Sequence, residues 1–513
     1  MKRTLDDLNR QSRRKMLALI GAAGVGVLAG RNRLAASRDS DDPDTMADDG
    51  LPAGVQDPVI RDEPPVNGGN FPSDDDPRDR NEDGTDSPPG VDITAYGARS
   101  NPDDATAEEA ADNLRALRIA ARIAGDGGTI YVPEGQFHIG HSGTGLDPHT
   151  EFGGREPSGI SIVGDGPDRS ILTLSRHINP ERQGVQDGFR WSDGTYHGTF
   201  EIKHVTLDGN YQNIEYNIRG AGGRSRGCDV NGEGELHLKN TRIRGWQLNG
   251  CRAGSLLRTA SYCTFEDNGI KVHNESEGDS ISHHLSVDPS SDEEVLIEHC
   301  HFIDSGGSAV NWTYGSGTVE IRSCYVEGTG ANLCKHSSSG TLKLKNVFHR
   351  ANTESLESKL LDLGPSDGFM GRNLIQRVRS TGEGPATVEF DNVESRDITD
   401  YAIQSRQGEL RLTGDLLAIH NANMLNDDEV IRNRSGGRFI DVDIDRLSVH
   451  DCDGQIFDTD GSTGRVNTIR YSAVQGLGDS GGISVFNVEE EEAPFEPSVP
   501  ARDDVGIQGF EES

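Results

Sequence analysis

The chain is predicted to fold as an all-β solenoid, a stack of short coils whose strands pair into parallel sheets. A six-residue unit with apolar or small residues at positions 1, 4 and mostly 6 recurs between residues 201 and 350. Successive fourth positions are 36, 22, 37, 24 and 23 residues apart, at Val205, Thr241, Cys263, Cys300, Cys324 and Val347. A recurring unit bounded by Gly, Asp, Asn and Ser indicates short strands and turns stacked as coils.

Most units continue, after a Gly or Asn turn, into a second short strand. These second strands are predicted at Cys228–Asn231, Leu248–Arg252, Gly269–His273, Ala309–Thr313 and Asn332–His336. Coils stacked in register would place them in parallel sheets with strands about 4.8 Å apart. The ladder is predicted to continue through 390–393, 412–417, 442–447 and 469–474, and to end with 482–488.

The ordered part is predicted to begin at Val91. Thr106 and Glu109 form a capping box that opens a helix, and Gly125 ends it. Two strands around a Pro-Glu-Gly turn follow in residues 127–139. One helix face carries apolar side chains, so the helix is expected to cover the open end of the first coil. These side chains are Leu114, Leu117 and Ala121.

The order Tyr96-Gly-Ala, helix, Gly-Gly-Thr-Ile-Tyr-Val-Pro-x-Gly resembles the opening module of pectate-lyase-superfamily proteins. With the coil repeat, the chain resembles a right-handed parallel β-helix of the pectin-lyase-like superfamily. That superfamily contains polysaccharide lyases, glycoside hydrolases, adhesins and viral tail proteins. The family's usual Gly-Asp-Gly before the helix is replaced by Ser100-Asn-Pro-Asp-Asp, which affects only a turn. The resemblance is specific for architecture and weak for chemistry.

Residues 1–36 are interpreted as an export signal. Ser12-Arg-Arg-Lys-Met-Leu17 resembles the twin-arginine motif, and the apolar run 16–30 is too short to span a bilayer with margin. Cleavage is expected near Ala36, with an uncleaved anchor as the alternative. The protein is therefore expected to be secreted or held at the cell surface, without a stable membrane span unless the signal is uncleaved.

Three further segments complete the predicted domain organisation. Residues 37–90 are rich in Asp, Pro, Gly and Ser and are predicted to be a disordered acidic linker. The β-helix domain is predicted to occupy 91–488. The tail 489–513 begins with four Glu and is predicted to be disordered.

The net charge of −35 arises from 85 acidic and 50 basic residues, and Arg supplies most of the basic ones. An Asp-rich, Lys-poor composition resembles that of proteins from salt-loving microbes of the haloarchaeal type, with an ordinary acidic secreted protein as the alternative. Such a charge repels nucleic acid phosphates, so nucleic acid is not an expected partner. An anionic polysaccharide would need a local basic patch.

Seven cysteines are present, and three of them share the fourth, inward position of the repeat. A stacked ladder of small apolar side chains is the preferred interpretation, and a disulfide between adjacent coils is the alternative. The odd number leaves at least one free thiol, and no spacing suits zinc. The three are Cys263, Cys300 and Cys324.

The outward side of the second strands is the predicted functional face. In Gly269–His273, Ile270 and Val272 are expected to point inwards, so Lys271 and His273 point outwards. Stacking then predicts two outward columns: Asp229, Asn249, Lys271, Asn311 and Cys334, and Asn231, Cys251, His273, Thr313 and His336. Arg252, Lys335 and Tyr314 lie nearby and make the face locally basic, while Trp312 is expected in the core.

Two mechanisms and one non-catalytic role fit this face. In β-elimination, Lys271 or His273 removes the proton beside a uronate carboxylate, while Arg252 and His336 neutralise charge. In hydrolysis two carboxylates flank the bond, and the candidates are Asp229, Glu233, Asp267 and Asp304. Neither signature is complete; the lyase is preferred over the hydrolase. A non-catalytic surface or adhesive protein is the alternative.

The predicted catalytic residues are Lys271, His273 and Asp229. The predicted substrate-binding residues are Arg252, Asn311, Lys335, His336 and Tyr314. No metal site is predicted and no cofactor is identified, although calcium is compatible with the lyase mechanism. The expected partner is a polysaccharide, and the expected oligomeric state is a monomer or a trimer.

Overall fold

The computed structural model describes residues 89–102, 105–140, 159–177, 186–192, 198–213, 225–231, 234–270, 283–362, 373–377, 384–422, 429–434, 436–490 and 493–507. These residues form a parallel β-helix, so the predicted all-β solenoid is confirmed. The signal segment and most of the acidic linker lie outside the described residues, and both remain predictions. None of the described helices is long and apolar enough to cross a membrane.

The described strands pair in parallel and belong to two sheets. In chain order they are β1 (Val91–Asp92), β2 (Thr129–Val132), β3 (Gly135–Ile139), β4 (Gly159–Gly164), β5 (Ser170–Leu174), β6 (Gln186–Ser192), β7 (Thr199–Lys203), β8 (Thr206–Asp208), β9 (Ser225–Asn231), β10 (Glu235–Lys239), β11 (Arg242–Arg244), β12 (Cys251–Gly254), β13 (Leu257–Ser261), β14 (Thr264–Glu266), β15 (His283–Val287), β16 (Glu294–Glu298), β17 (His301–Ser305), β18 (Ser308–Trp312), β19 (Thr318–Arg322), β20 (Tyr325–Thr329), β21 (Asn332–His336), β22 (Thr341–Arg350), β23 (Asn373–Arg377), β24 (Ala386–Arg396), β25 (Ile403–Ser405), β26 (Gly408–His420), β27 (Ile431–Asn433), β28 (Gly437–His450), β29 (Phe457–Asp458), β30 (Thr463–Ser472), β31 (Gly478–Asp479) and β32 (Gly482–Glu490).

The second sheet contains 11 of these strands, and the first sheet contains the other 21. Within a coil, one residue with a left-handed backbone turns the chain between two strands of the first sheet, as His204 does between β7 and β8. The same turn recurs at Asn240, Tyr262, His299 and Ser323, and Asn346 has the same left-handed backbone within β22. A longer connection then leads to one strand of the second sheet, whose members are β6, β9, β12, β15, β18, β21, β23, β25, β27, β29 and β31.

Helix α1 (Ala107–Ala124) begins at the predicted capping box, in which the Thr106 hydroxyl accepts from the Glu109 amide. The N–H of Gly125 donates to Ala121 O at the other end. Leu117 and Ala121 are fully buried in the same core as Ile130 of β2. The helix therefore covers the first coil with its apolar face, as the sequence predicts. Near it, residues Ile93–Tyr96 form a short 3-10 turn.

The interior of the coils is apolar and continuous along the solenoid. The six repeat positions named above are all buried, because each side chain packs between those of the adjacent coils. All seven cysteines are buried and free, so the predicted thiol ladder is confirmed and the disulfide alternative is not observed. The thiol of Cys300 donates to Ala260 O at 3.2 Å, and the Cys300 amide donates to Cys324 Sγ at 3.4 Å.

The C-terminal segment departs from the prediction of a disordered tail. Glu489 and Glu490 belong to β32, and residues 493–507 pack against the first sheet. The Phe495 ring lies 3.9 Å from the Arg470 guanidinium. Further along, Arg502 begins the 3-10 turn Arg502–Asp504 and pairs with Glu327 at 2.9 Å. The Gly506 N–H donates to His299 O at 2.7 Å. Order in this acidic, proline-rich segment comes from contacts with coils far away in sequence.

Candidate functional site

A single row of polar side chains runs along the outward face of the second sheet. Its members occupy equivalent positions of neighbouring strands, one residue after the inward-pointing Cys228 and Cys251. Adjacent strands are about 4.8 Å apart, so Arg252 and Lys335, three strands apart, are separated by about 14 Å. We call this set the outer row: Asp229, Arg252, Ser286, Asn311, Lys335, Gln376, Gln404, Arg432 and Asp458.

The register corrects the two predicted outward columns. Asn311 lies opposite Lys335, and Val310 lies opposite Cys334. Cys251 and Cys334 are therefore inward residues and are completely buried. A slip of one residue moves every side chain of a strand to the other face, which is why Arg252 and Lys335 belong to the row itself rather than beside it.

His336 is also inward, so its predicted role in substrate binding is wrong. Its ring stacks on Trp312 with centroids 4.5 Å apart, and Nε2 lies 3.2 Å from Gly340 O. Nδ1 lies 3.3 Å from the Ser338 hydroxyl. Burial lowers the pKa of His336 to about 3, so the imidazole is neutral and cannot neutralise a carboxylate. Trp312 lies in the core, as expected.

The strand predicted at Gly269–His273 does not occupy its place in the second sheet. Strand β15 pairs with β12 on one side and with β18 on the other, so Ser286 fills the position predicted for Lys271. Ile270 packs with Tyr211 and Leu356 in a separate small cluster. Lys271 and His273 lie outside the described residues, and their catalytic role remains a prediction.

The first described rungs of the outer row hold a cluster of one carboxylate and two guanidinium groups. Asp229 accepts from Arg252 Nε at 2.5 Å and from Arg252 Nη2 at 3.0 Å, and it also pairs with Arg226. The Asp229 side chain is 7% exposed, whereas that of Arg252 is 40% exposed. Asp229 thus fixes a guanidinium that still faces solvent and is not a free carboxylate, and its catalytic role remains a prediction.

Asp288 joins this site without having been singled out in the sequence. It follows β15, and its Oδ1 accepts from the amides of Thr313 at 3.0 Å and Tyr314 at 2.7 Å. Burial raises its pKa to about 6, although these two amides and Arg252 oppose the shift. The signal in the sequence is the alternation of Leu285-Ser-Val-Asp288, which places Ser286 and Asp288 on one face of a strand.

Asn311 and Lys335 point outwards on neighbouring strands, and Tyr314 follows β18. The Tyr314 side chain is among the exposed large hydrophobic residues at 58% exposure. Asn311 Nδ2 donates to the Thr313 hydroxyl at 3.2 Å, and Lys335 is half-buried on the next rung. An exposed aromatic ring can stack on a sugar ring, and amide, hydroxyl and ammonium groups can form hydrogen bonds with sugar hydroxyl groups.

Beyond Lys335 the row becomes uncharged and then mixed. Gln376 Nε2 donates to Gln404 Oε1 at 2.9 Å. Arg432 pairs with Asp458 at 3.1 Å and donates to the Tyr401 hydroxyl at 3.0 Å. The outward columns predicted from the sequence end at Cys334 and His336, so these later rungs are an addition. Among the rungs whose side chains the structure describes, the cationic members of the row nearest Asp229 are therefore Arg252 and Lys335.

Asp267 and Asp304, two other predicted carboxylates, do not reach the outer row. Asp267 and Asp304 both bind Lys359 Nζ, at 2.5 and 2.6 Å, beneath helix α2 (Glu354–Asp362). The Ser355 hydroxyl also donates to Asp304 at 2.6 Å. Burial by itself would lower the pKa of Lys359, but the two carboxylates outweigh burial and raise this pKa above its ordinary value. This cluster fastens α2 to the coils, and Glu233 lies outside the described residues.

Among the residues that the structure describes, no group of three or more His, Cys, Asp or Glu side chains is arranged to hold a metal ion. Single carboxylates nevertheless lie on or near the outer row, such as Asp458 in the row and Asp288 just after β15, and a substrate-bound cation could approach them. A calcium requirement therefore remains a prediction of the lyase mechanism.

Comparisons with known proteins give likenesses of architecture. No family model matches the chain, and no curated protein matches it. The solved structures that resemble it include PfbA, a surface adhesin of Streptococcus pneumoniae, at 11% identity over 78% of this chain and 91% of that chain, with a TM-score of 0.47. A family 28 exopolygalacturonase of Yersinia enterocolitica has 11% identity over 78% of both chains and a TM-score of 0.43.

A third structure is ORF18 of Geobacillus virus E2, at 12% identity over 69% of this chain, with a TM-score of 0.45. The match spans 61% of the viral chain's own length. Likenesses at these identities and scores assign no activity to this protein.

Proposed function

We propose that the outer row binds an acidic polysaccharide and that the protein cleaves it, by β-elimination in preference to hydrolysis. The observation that carries the proposal is the local charge of the row. Among the described side chains, Arg252 and Lys335 lie on the row and Arg226 pairs with its Asp229, so cationic groups gather along this part of a chain whose net charge is −35. A cationic strip on an acidic protein is what attraction of a polyanion requires.

Arg252 is the residue best placed to hold a uronate carboxylate. Its guanidinium is fixed in a bidentate pair with Asp229, so little conformational entropy is lost when a second anion binds. Asn311 and Thr313 offer hydrogen bonds on the following rungs, and Tyr314 offers an aromatic surface. Lys335 supplies a second cation about 14 Å away, within the span of a short oligosaccharide.

The same groups serve the elimination chemistry. Removal of the proton beside a uronate carboxylate builds negative charge on that carboxylate, and a fixed guanidinium stabilises it. Lys271 and His273 remain the proposed bases, since a lysine or histidine can accept this proton. The proton leaves carbon for the base, the electron pair forms the new carbon–carbon double bond, and the glycosidic oxygen departs with its bonding pair.

Hydrolysis is the second candidate because of Asp288. A carboxyl group whose burial raises its pKa to about 6 is suited to donate a proton to a leaving glycosidic oxygen. In that case Asp288, rather than Asp229, would be the general acid. A non-catalytic adhesive role would use the same face for binding alone.

The proposal is tested by incubating the protein with a polyuronate and with a neutral polysaccharide of equal length. New ultraviolet absorbance from unsaturated ends supports elimination, whereas new reducing ends without absorbance support hydrolysis. Binding without product supports the adhesive role. Equal binding of charged and neutral polymers, or no binding of either, would overturn the proposal.

We further propose that the protein is exported by the twin-arginine route and acts outside the cell. The support is Arg13 and Arg14 followed by the apolar run 16–30. Replacing both arginines by Lys should leave precursor in the cytoplasm, and unchanged secretion would exclude this route.

A further inference from the structure

A buried arginine lies on the inner side of the strands that carry the outer row. Arg377 ends β23, one residue after the outward Gln376, and lies opposite Ser405 of β25. It is 0% exposed and is one of the largest fully buried side chains. Nothing in the proposed polysaccharide chemistry uses it.

Within the described part of the chain, the guanidinium of Arg377 has hydrogen bonds but no counter-charge. Nη1 donates to Ser338 O at 2.6 Å and Nε donates to Gln407 O at 3.2 Å. Nη2 is buried and has no hydrogen-bond partner among the residues that the structure describes. Among the described residues no carboxylate lies within ion-pair distance of Arg377. Glu409, the acidic residue that acts on it at longer range, is paired with Arg438.

The neighbouring groups do not supply the missing negative charge. His336, which precedes Arg377 in the same inward column, is neutral because burial lowers the pKa of its imidazole to about 3. Burial likewise lowers the pKa of Arg377 to about 10, so the guanidinium remains protonated at neutral pH. An uncompensated buried cation costs several kcal/mol, and two carbonyl dipoles solvate it without neutralising it.

We propose that Nη2 of Arg377 binds a small monovalent anion, of which chloride is the representative. The two N–H groups of Nη2 are the donors that such an anion accepts, and its charge balances the guanidinium. A water molecule would accept one of these hydrogen bonds but would leave the charge uncompensated. The inference does not depend on the polysaccharide proposal, since the site faces the interior.

The direct test is anomalous scattering from crystals of the unmodified protein grown in bromide. A bromide peak in contact with Nη2 of Arg377 is expected. A well-ordered water at this position with no anomalous signal, or an empty position, would overturn the proposal. This measurement does not require a variant that folds.

A solution test compares thermal unfolding in potassium chloride and in potassium gluconate at equal ionic strength, gluconate being too large for a buried site. At a chloride concentration about a hundred times the dissociation constant of the site, the melting temperature of the unmodified protein should be about 3 °C higher than in gluconate. Arg377→Gln should lose this difference. Arg411→Gln, an exposed arginine paired with Asp441, should keep it. An equal chloride effect in all three proteins would count against the site.

Discussion

Replacing Asp229 by Asn separates a positioning role for this carboxylate from a catalytic one. Asp229 and Arg226 are 7% and 13% exposed, so the substitution leaves a nearly buried guanidinium without its charged partner. Breaking a buried ion pair costs about 3–5 kcal/mol. Arg252 is 40% exposed and Asn keeps one acceptor oxygen, so we expect a smaller loss of about 2 kcal/mol in the free energy of unfolding.

The same substitution should strengthen binding of an acidic polymer. The substitution removes one negative charge about 7 Å from the bound carboxylate. At a dielectric constant between those of protein and water, and after screening by salt, this makes the binding free energy more favourable by ~0.7 kcal/mol, or about threefold in affinity. Stability is measured from urea unfolding followed by tryptophan fluorescence, since Trp246 and Trp312 are buried. Affinity is measured on the folded variant at the same salt concentration.

Asp441→Asn is the matched control, because Asp441 also pairs with an arginine but is 67% exposed. It should change the free energy of unfolding by less than about 0.5 kcal/mol and leave affinity unaltered. The reasoning is refuted if Asp229→Asn is as stable as the original protein. If Asp229→Asn instead cleaves the polymer about a hundredfold more slowly or worse, and binds it no more tightly, Asp229 takes part in the reaction.

Three further predictions concern pH, packing and salt. Because the pKa of Asp288 rises from 3.8 to about 6 on folding, burial of the charged carboxylate lowers the stability as pH rises through 6. Asp288→Asn should therefore raise the melting temperature at pH 8 but not at pH 3. It should also abolish the rise in polyuronate affinity that protonation of Asp288 produces between pH 7 and pH 5. Gly340→Ala would bring a Cβ to 2.3 Å from the Trp312 ring and 2.4 Å from Gly317 O, so we expect a loss of ~3 kcal/mol in the free energy of unfolding. In the control Gly436→Ala, the new Cβ meets open space, and only backbone strain of about 1–2 kcal/mol is expected. Lowering salt from molar to ~0.1 M lengthens screening to ~10 Å and should lower the melting temperature, because 85 acidic residues repel one another; a melting temperature independent of salt would exclude adaptation to high salt.

The features predicted correctly from the sequence are those set by short-range rules. The capping box depends only on Thr106 and Glu109, and the inward ladder through Cys263, Cys300 and Cys324 depends on repeated burial at a fixed spacing. Both are visible in a single stretch or a single repeat. Their outcome does not depend on which distant strand becomes the neighbour.

The register of the second sheet could not be predicted in the same way. Two strand-like stretches, Gly269–His273 and His283–Val287, compete for one place in the coil between Cys263 and Cys300. Only pairing with β12 and β18 decides between them, and it selects His283–Val287. The burial of His336 was equally hard to predict. Its polar ring is stable in the interior because Trp312 stacks on it and both ring nitrogens have hydrogen-bond partners in one turn.

The central claim is that the outer row attracts an acidic polysaccharide through Arg252. The most direct measurement is the polyuronate affinity of Arg252→Gln beside that of Arg465→Gln, at one salt concentration and with folding verified for both. Arg465 also pairs with an aspartate, Asp443, but lies on the first sheet. We predict a loss of about tenfold or more for Arg252→Gln, the value of one charge-assisted pair, and no change for Arg465→Gln. Equal affinities in the two variants would contradict the account.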